Sequence, residues 1–196
     1  MIVVILCFLL QPAGADQVDV VVQAGHQGRP KSCKPMHVKH CNLGARLGTQ
    51  REQDWTPIVA HAAATELQHD GFTVKYRPAD YRGHDRARAA VFLHFDGNSE
   101  PCSGGASVGF PPGADRAFVH DWVQRYRAFF PYHFAGENIS HNEKTYYAYR
   151  RVTTPGRTML IEFGEMTCAA QERWMEPRLH ELGIEVARFI RSELQP

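Results

Sequence analysis

Three apolar, strand-like runs of this chain carry side chains that bind metals or move protons. The run Val20-Val21-Val22-Gln23-Ala24-Gly25-His26-Gln27-Gly28 ends in a small-residue turn that holds a histidine. Residues 90–96 place His94 near the end of a second run, and residues 158–165 place Glu162 and Glu165 in a third. In an α/β protein the carboxyl ends of strands are where ligands and metals gather. A catalytic zinc takes three protein ligands, histidine and glutamate among the usual types, and leaves one position for water. His26 and His94 supply two, and Glu52, which opens a helical segment after a long loop, supplies the third. Glu162 lies inside an apolar strand, where a carboxylate costs several kcal/mol unless it is paired or put to use. Beside a metal, such a carboxylate is the residue type of a general base.

Each of these residues also has a plainer reading. With 11 histidines in the chain, one near a strand end is cheap. Thr49-x-x-Glu52 matches a capping box, in which Glu52 bonds back to the helix start. Glu162 could pair with a buried arginine, Arg46 or Arg150. Glu165 competes with Glu162 for the base role, but its place beyond Gly164 predicts greater exposure. No HExxH sequence occurs, which excludes a zincin-type protease.

The elements that must position these residues alternate in type. Residues 18–23 read as a buried first strand, and residues 25–48 as a long loop rich in Lys, His, Gly and Pro. Residues 52–68 read as a helix, with Trp55, Ile58, Val59, Ala62, Ala63 and Leu67 on one face at the 3.6-residue period. Strands follow at 72–76 and 90–95, joined by a polar connection at 79–88. Residues 97–113 read as a Gly/Ser/Pro loop and 115–129 as an amphipathic helix. Residues 131–154 are aromatic and polar, with no assignable element. A fourth buried strand at 158–163 and a last helix at 177–194 complete the pattern. Alternating strands and helices predict one α/β domain, with a mostly parallel central sheet flanked by helices on both faces.

The 196 residues fit one domain with a full core, and 43% hydrophobic with 22% charged residues is an ordinary globular mixture. A net charge of +1 with scattered Lys and Arg supplies no basic stripe, so no nucleic-acid partner is expected. Residues 2–10 form an apolar run, followed by Ala13-Gly14-Ala15. This reads as a secretory signal over residues 1–15, cut before Asp16, and leaves 16–196 as the catalytic domain. A buried strand or an anchor competes with that reading, but the run falls short of the roughly 20 apolar residues of a bilayer span. No stable membrane insertion is expected after cleavage, and the protein is expected to be exported, periplasmic or extracellular. Beyond Cys7 lie Cys33, Cys41, Cys102 and Cys168, an even set that suggests two disulfides in an oxidising compartment. Of the three connectivities, Cys33–Cys41 with Cys102–Cys168 is favoured, and without a CxxC pair a structural zinc is disfavoured.

In order and spacing these pieces resemble the zinc-dependent N-acetylmuramoyl-L-alanine amidases of bacterial cell walls, the type 3 amidase catalytic domain. The resemblance rests on Ala24-Gly25-His26-Gln27-Gly28, on the helix-opening Glu52, on Phe92-Leu93-His94-Phe95-Asp96-Gly97-Asn98, and on Leu160-Ile161-Glu162-Phe163-Gly164 before a final helix. It covers nearly all of the chain after residue 15 and implies a phosphorylase/hydrolase-like α/β fold. It also implies zinc held by His26, Glu52 and His94, with Glu162 as the catalytic carboxylate. The implied reaction cuts the amide between N-acetylmuramic acid and L-alanine in peptidoglycan or a muropeptide. Glu162 takes the proton of the attacking water and passes it to the leaving amine.

The chain departs from the family where Phe95-Asp96 replace a small residue and Asn, where the 25–48 loop carries two cysteines, and at Glu165-Met166-Thr167-Cys168. These departures describe a divergent, disulfide-stapled branch. A zinc carboxypeptidase-like or other amidohydrolase of small amides, and a catalytically silent wall-binding module, are the competing functions. Asp96 and Asn98 are candidates for orienting the ligands or contacting substrate, and Tyr146, Tyr147 and Tyr149 for stacking on sugar rings.

Overall fold

The computed structural model describes residues 17–28 and 42–195. In chain order its elements are β1 (Gln17–Ala24), β2 (Arg46–Leu47), β3 (Gln50–Arg51), α1 (Glu52–His69), β4 (Val74–Pro78), β5 (Asp85–Asp96) and β6 (Ala106–Gly109). There follow α2 (Arg116–Phe129), β7 (Phe134–Glu137), α3 (His141–Lys144), β8 (Val152–Thr153), β9 (Thr158–Glu165), α4 (Ala169–Met175) and α5 (Leu179–Leu194). One 3-10 turn, Tyr147–Arg151, precedes β8, and another, Glu176–Arg178, precedes α5.

The main sheet has the order β4-β1-β5-β9-β6-β7, with β8 paired to β5. Its centre is parallel: β1 pairs with β4 and β5, and β5 with β9, all in parallel register. Such strands are buried on both faces, which is why β1 and β5 read as continuous apolar runs rather than alternating ones. The edge beyond β9 reverses, because β6 runs antiparallel to β9 and β7 follows β6.

Side chains alternate across the sheet, so period 2 sorts each strand between two layers. Val20, Val22, Leu93, Phe95, Ile161 and Phe163 face the larger core. There α1, α2 and α5 cover them with Trp55, Leu67, Phe118, Trp122, Val186 and Phe189. Each such large side chain stabilises the fold by about 1.5–3 kcal/mol on leaving water. The opposite face carries Val21, Ala90, Phe92 and Leu160. A thinner layer covers it, formed by Ala148, Val152 and the partly buried Tyr146, Tyr147 and Tyr149. The sheet is covered on both faces, but unequally: the long helices share one face, and the aromatic segment before β9 lies over the other.

Several local expectations shift. The stretch read as a Gly/Ser/Pro loop contains β6, a buried four-residue strand that pairs with β9 and β7. The connection read at 79–88 ends early, because β5 already starts at Asp85. The last helix is preceded by α4 and a 3-10 turn, so α5 proper begins at Leu179. Cys102 and Cys168 are disulfide-bonded, tying the loop before β6 to the start of α4. The expected Cys33–Cys41 bridge and the signal at residues 1–15 lie outside the described residues.

Candidate metal centre

β1 delivers the first candidate ligand. Its ladder continues through Gly25, whose N–H donates to the Leu93 carbonyl at 2.9 Å. The Gly25 carbonyl accepts from the Thr56 hydroxyl at 2.5 Å, which fastens the turn to α1. His26 follows in the left-handed backbone region, with φ 57°. That conformation costs a non-glycine residue on the order of 1–2 kcal/mol. It is held because both ring nitrogens find partners: Nδ1 lies 2.8 Å from the Asn42 carbonyl, and Nε2 lies 3.4 Å from Glu52 Oε2.

Glu52 is the first residue of α1, where the helix dipole favours a carboxylate. The rival capping box does not form: Arg51 is the N-cap, with no side-chain bond. The carboxylate is spent elsewhere. Oε1 accepts from the Phe95 N–H at 3.0 Å and meets His94 Nδ1 at 2.8 Å, while Oε2 accepts from the Ala45 N–H at 2.8 Å. The Glu52 N–H donates back to the Ala45 carbonyl, so the short β2–β3 hairpin closes onto the residue it delivers. Gly44 has φ 84°, and a Cβ there would lie 2.2 Å from Glu52 Oε2. Burial opposes ionisation of Glu52, but the charge of His26 and the bonds from His94 and the Phe95 N–H outweigh it, holding the carboxyl below its ordinary value.

His94 and Glu162 sit opposite one another in the parallel β5–β9 register, one strand spacing of about 4.8 Å apart. Both point to the thin-layer face, as do Gln23 on β1 and Ser107 on β6. Directly after this pair the register slips, so that Asp96 pairs with Glu165. Such an irregularity re-aims the side chains around it. Glu162 Oε2 is out of solvent and has no hydrogen-bond partner. Among the described residues Glu162 is in no ion pair, and neither Arg46 nor Arg150 reaches it. Burial, reinforced by the charges of Glu52, Asp96 and Glu143, pushes its carboxyl well above the ordinary range.

His26, Glu52 and His94 each offer a ligand atom, and these lie within 4.8 Å of one another. Each histidine turns one nitrogen to this point and gives the other a polar partner, Asn42 O for His26 and Tyr146 Oη for His94. Paired outer contacts of this kind accompany histidine–metal bonds and fix which nitrogen faces the ion. The donor set is the nitrogen and oxygen set of zinc.

Other expectations are redistributed. Glu165 is fully buried rather than exposed, and it accepts from the Cys102 and Gly104 N–H groups and the Thr167 hydroxyl. It organises the disulfide-tied loop, and those bonds hold its carboxyl below the ordinary value despite burial. Asp96 and Asn98 bond to each other at 3.2 Å and do not orient the histidines. The orienting contacts come instead from Asn42 and Tyr146, which periodicity could not single out because neither lies in a patterned element. Tyr146 packs edge-on against His94 at 5.1 Å and against Phe92, and Tyr149 also packs on Phe92.

Solved structures carry the same architecture. An N-acetylmuramoyl-L-alanine amidase from Clostridium difficile 630 superposes with a TM-score of 0.65 at 15% identity, over 92% of this chain and 98% of that one. The amidase AmiC2 of Nostoc punctiforme gives 0.65 at 16% identity, over 91% and 98%. The catalytic domain of CwlV, an amidase from Bacillus (Paenibacillus) polymyxa, gives 0.64 at 16% identity, over 90% and 98%. The chain has the amidase fold. No protein-family model matches the sequence, and no curated protein does. At these identities the likeness speaks for the amidase fold, and the chemistry rests on the residues at the strand ends.

Proposed function

We propose that this chain is a zinc-dependent N-acetylmuramoyl-L-alanine amidase acting on peptidoglycan or its soluble fragments. The observation that carries the reading is the convergence of His26, Glu52 and His94 on one point, with the unpartnered Glu162 Oε2 on the neighbouring strand. An amidase fold gives that convergence a reaction to perform. A bound zinc would supply Lewis acidity, lowering the pKa of water and polarising the scissile carbonyl. Glu162 would take the proton of the attacking water and return it to the leaving amine of L-alanine. A carboxyl whose proton affinity is raised by burial and by the neighbouring carboxylates suits a group that must both accept and donate. The contacts of His26 with Asn42 and of His94 with Tyr146 keep the ligands oriented, so that no reorganisation accompanies each turnover.

The Cys102–Cys168 bridge supports an oxidising, exported location. Among the described residues no helix is long and apolar enough to cross a membrane.

Metal analysis of the purified protein, joined to digestion of purified peptidoglycan, tests the proposal. About one zinc per chain is expected, following the three-ligand rule, together with stem peptides bearing free N-terminal alanine. Zinc without digestion, but with cleavage of small peptide amides, would assign the same metal to a different amidohydrolase. A protein that retains no zinc and ignores chelators contradicts the metal reading.

A further inference from the structure

We propose that the amino edge of the sheet carries a binding surface for a phosphodiester polymer, formed by Arg82, Arg86, Arg150 and Arg151 with His84 and Thr153. These residues come from two stretches far apart in the chain, and the parallel pairing of β8 with the start of β5 brings them together. Asp85 pairs with Val152, and Arg86 with Thr153. The Arg151 guanidinium donates to the Arg82 carbonyl at 2.9 Å, and His84 Nε2 lies 2.9 Å from Thr153 Oγ1. The two stretches thus run side by side, about 4.8 Å apart, and each supplies two arginines. All six residues are exposed. Asp85 and His94 are separated along β5 by about 30 Å, at about 3.3 Å per residue, so the surface lies far from the metal centre.

The charge of this surface is not neutralised. Asp85, the one carboxylate within residues 81–95, is buried and taken up by Lys75 and Arg77. Residues 144–161 contain no acidic side chain. Among the described residues no carboxylate pairs with any of the four arginines. A guanidinium presents a planar fork of N–H donors that matches phosphate oxygens, and it gives up water more readily than an ammonium. Four of them, spread along two adjacent stretches and open to solvent, fit a run of successive phosphates rather than one enclosed anion. The rings nearby are engaged: Tyr149 packs on Phe92, Tyr146 on Phe92 and Tyr147, and Arg77 covers Tyr81. Single-stranded nucleic acid needs open rings on which its bases stack. The surface therefore suits a polymer whose repeat carries phosphate without a base. The choice of a cell-envelope polymer rests on the exported, wall-acting reading above; the binding itself does not.

Fluorescence anisotropy of labelled poly(glycerol phosphate), titrated with the full chain from about 50 to about 200 mM salt, tests this. The wild type is expected to bind, with the logarithm of affinity falling linearly against the logarithm of salt concentration. Each of Arg82→Gln, Arg86→Gln, Arg150→Gln and Arg151→Gln is expected to lower that slope by about 0.7, and all four together to lower affinity at least about tenfold at low salt. Arg173→Gln, exposed on α4, removes one charge elsewhere and is expected to change neither quantity. Urea unfolding checks that the variants fold, and the single substitutions carry the test if the combined one does not. No binding by the wild type at the lowest salt, or a wild-type slope in the substituted chains, overturns the proposal. A single-stranded DNA of equal charge that binds more than about tenfold tighter than the polymer assigns the surface to nucleic acid and overturns the choice of partner. Cleavage of a soluble muropeptide is expected to be unchanged in all these variants. A wild type that cleaves nothing, yet binds the polymer through these arginines, sinks the amidase reading and sustains this one.

Discussion

Gly25 separates the end of β1 from His26, and its α-carbon lies against the ring of His94. A Cβ at this position would fall 2.5 Å from His94 Cε1 and 2.6 Å from the Leu93 carbonyl oxygen. The backbone contact cannot yield without breaking the bond from the Gly25 N–H to Leu93. Gly25→Ala is therefore expected to displace one of two facing histidines and to cost about 1–3 kcal/mol of overpacking strain. Zinc titration and urea unfolding read the two effects separately, and a variant that binds zinc with wild-type affinity contradicts the close-packed geometry. At this scale much of the site is legible in the sequence. His26, Glu52, His94 and Glu162 are residue types that chemistry demands at strand ends and helix starts. Asn42 and Tyr146 are not legible, because a backbone carbonyl carries no residue signature and a tyrosine among three neighbours carries no direction.

Strands and helices place these side chains, and their own stability depends on contacts remote from the site. Asp85 opens β5 and is buried, and it accepts from Arg77 at 2.8 Å and Lys75 at 3.0 Å, both on β4. The Arg77 bonds, with help from Lys75 and against the cost of burial, hold the Asp85 carboxyl below its ordinary value of 3.8. A carboxyl lowered on folding contributes stability that is fully present above its unfolded value and lost as pH falls through its folded value. Asp85→Asn is thus expected to cost about 1.5–3 kcal/mol at pH 7, the range for hydrogen bonds to charged groups. The difference from wild type should shrink once the pH drops below the ordinary carboxyl value, and urea unfolding at neutral and at strongly acid pH checks it. A cost that is the same at both would remove ionisation from the explanation.

The parallel strands and the long helices are legible because their burial imposes long runs at period 3.6 or unbroken apolar stretches. The strand β6 is not, since Ala106 to Gly109 is short, small and set in Gly/Ser/Pro-rich surroundings. Its strand character comes from pairing with β9 and β7 rather than from propensity.

Across the whole molecule the two faces of the sheet divide the work. The heavy face, under α1, α2 and α5, supplies the core. The thin face carries Gln23, His94, Ser107 and Glu162 at neighbouring positions beneath an aromatic cover. That cover, drawn from residues 131–154, has no periodic signature because it packs as a 3-10 turn and single tyrosines. Its placement over the face that carries His94 and Glu162 could only come from the fold. The two faces meet in one arrangement: a stable α/β frame gathers His26, Glu52 and His94 at one point with Glu162 on the neighbouring strand, the set proposed here for amide hydrolysis. The most direct measurement is zinc content and peptidoglycan turnover of Glu162→Ala beside wild type. Zinc stoichiometry is expected to stay unchanged while kcat falls about 10²–10⁴-fold, the usual worth of a positioned acid–base group. A Glu162→Ala protein that releases free N-terminal alanine at the wild-type rate would contradict it.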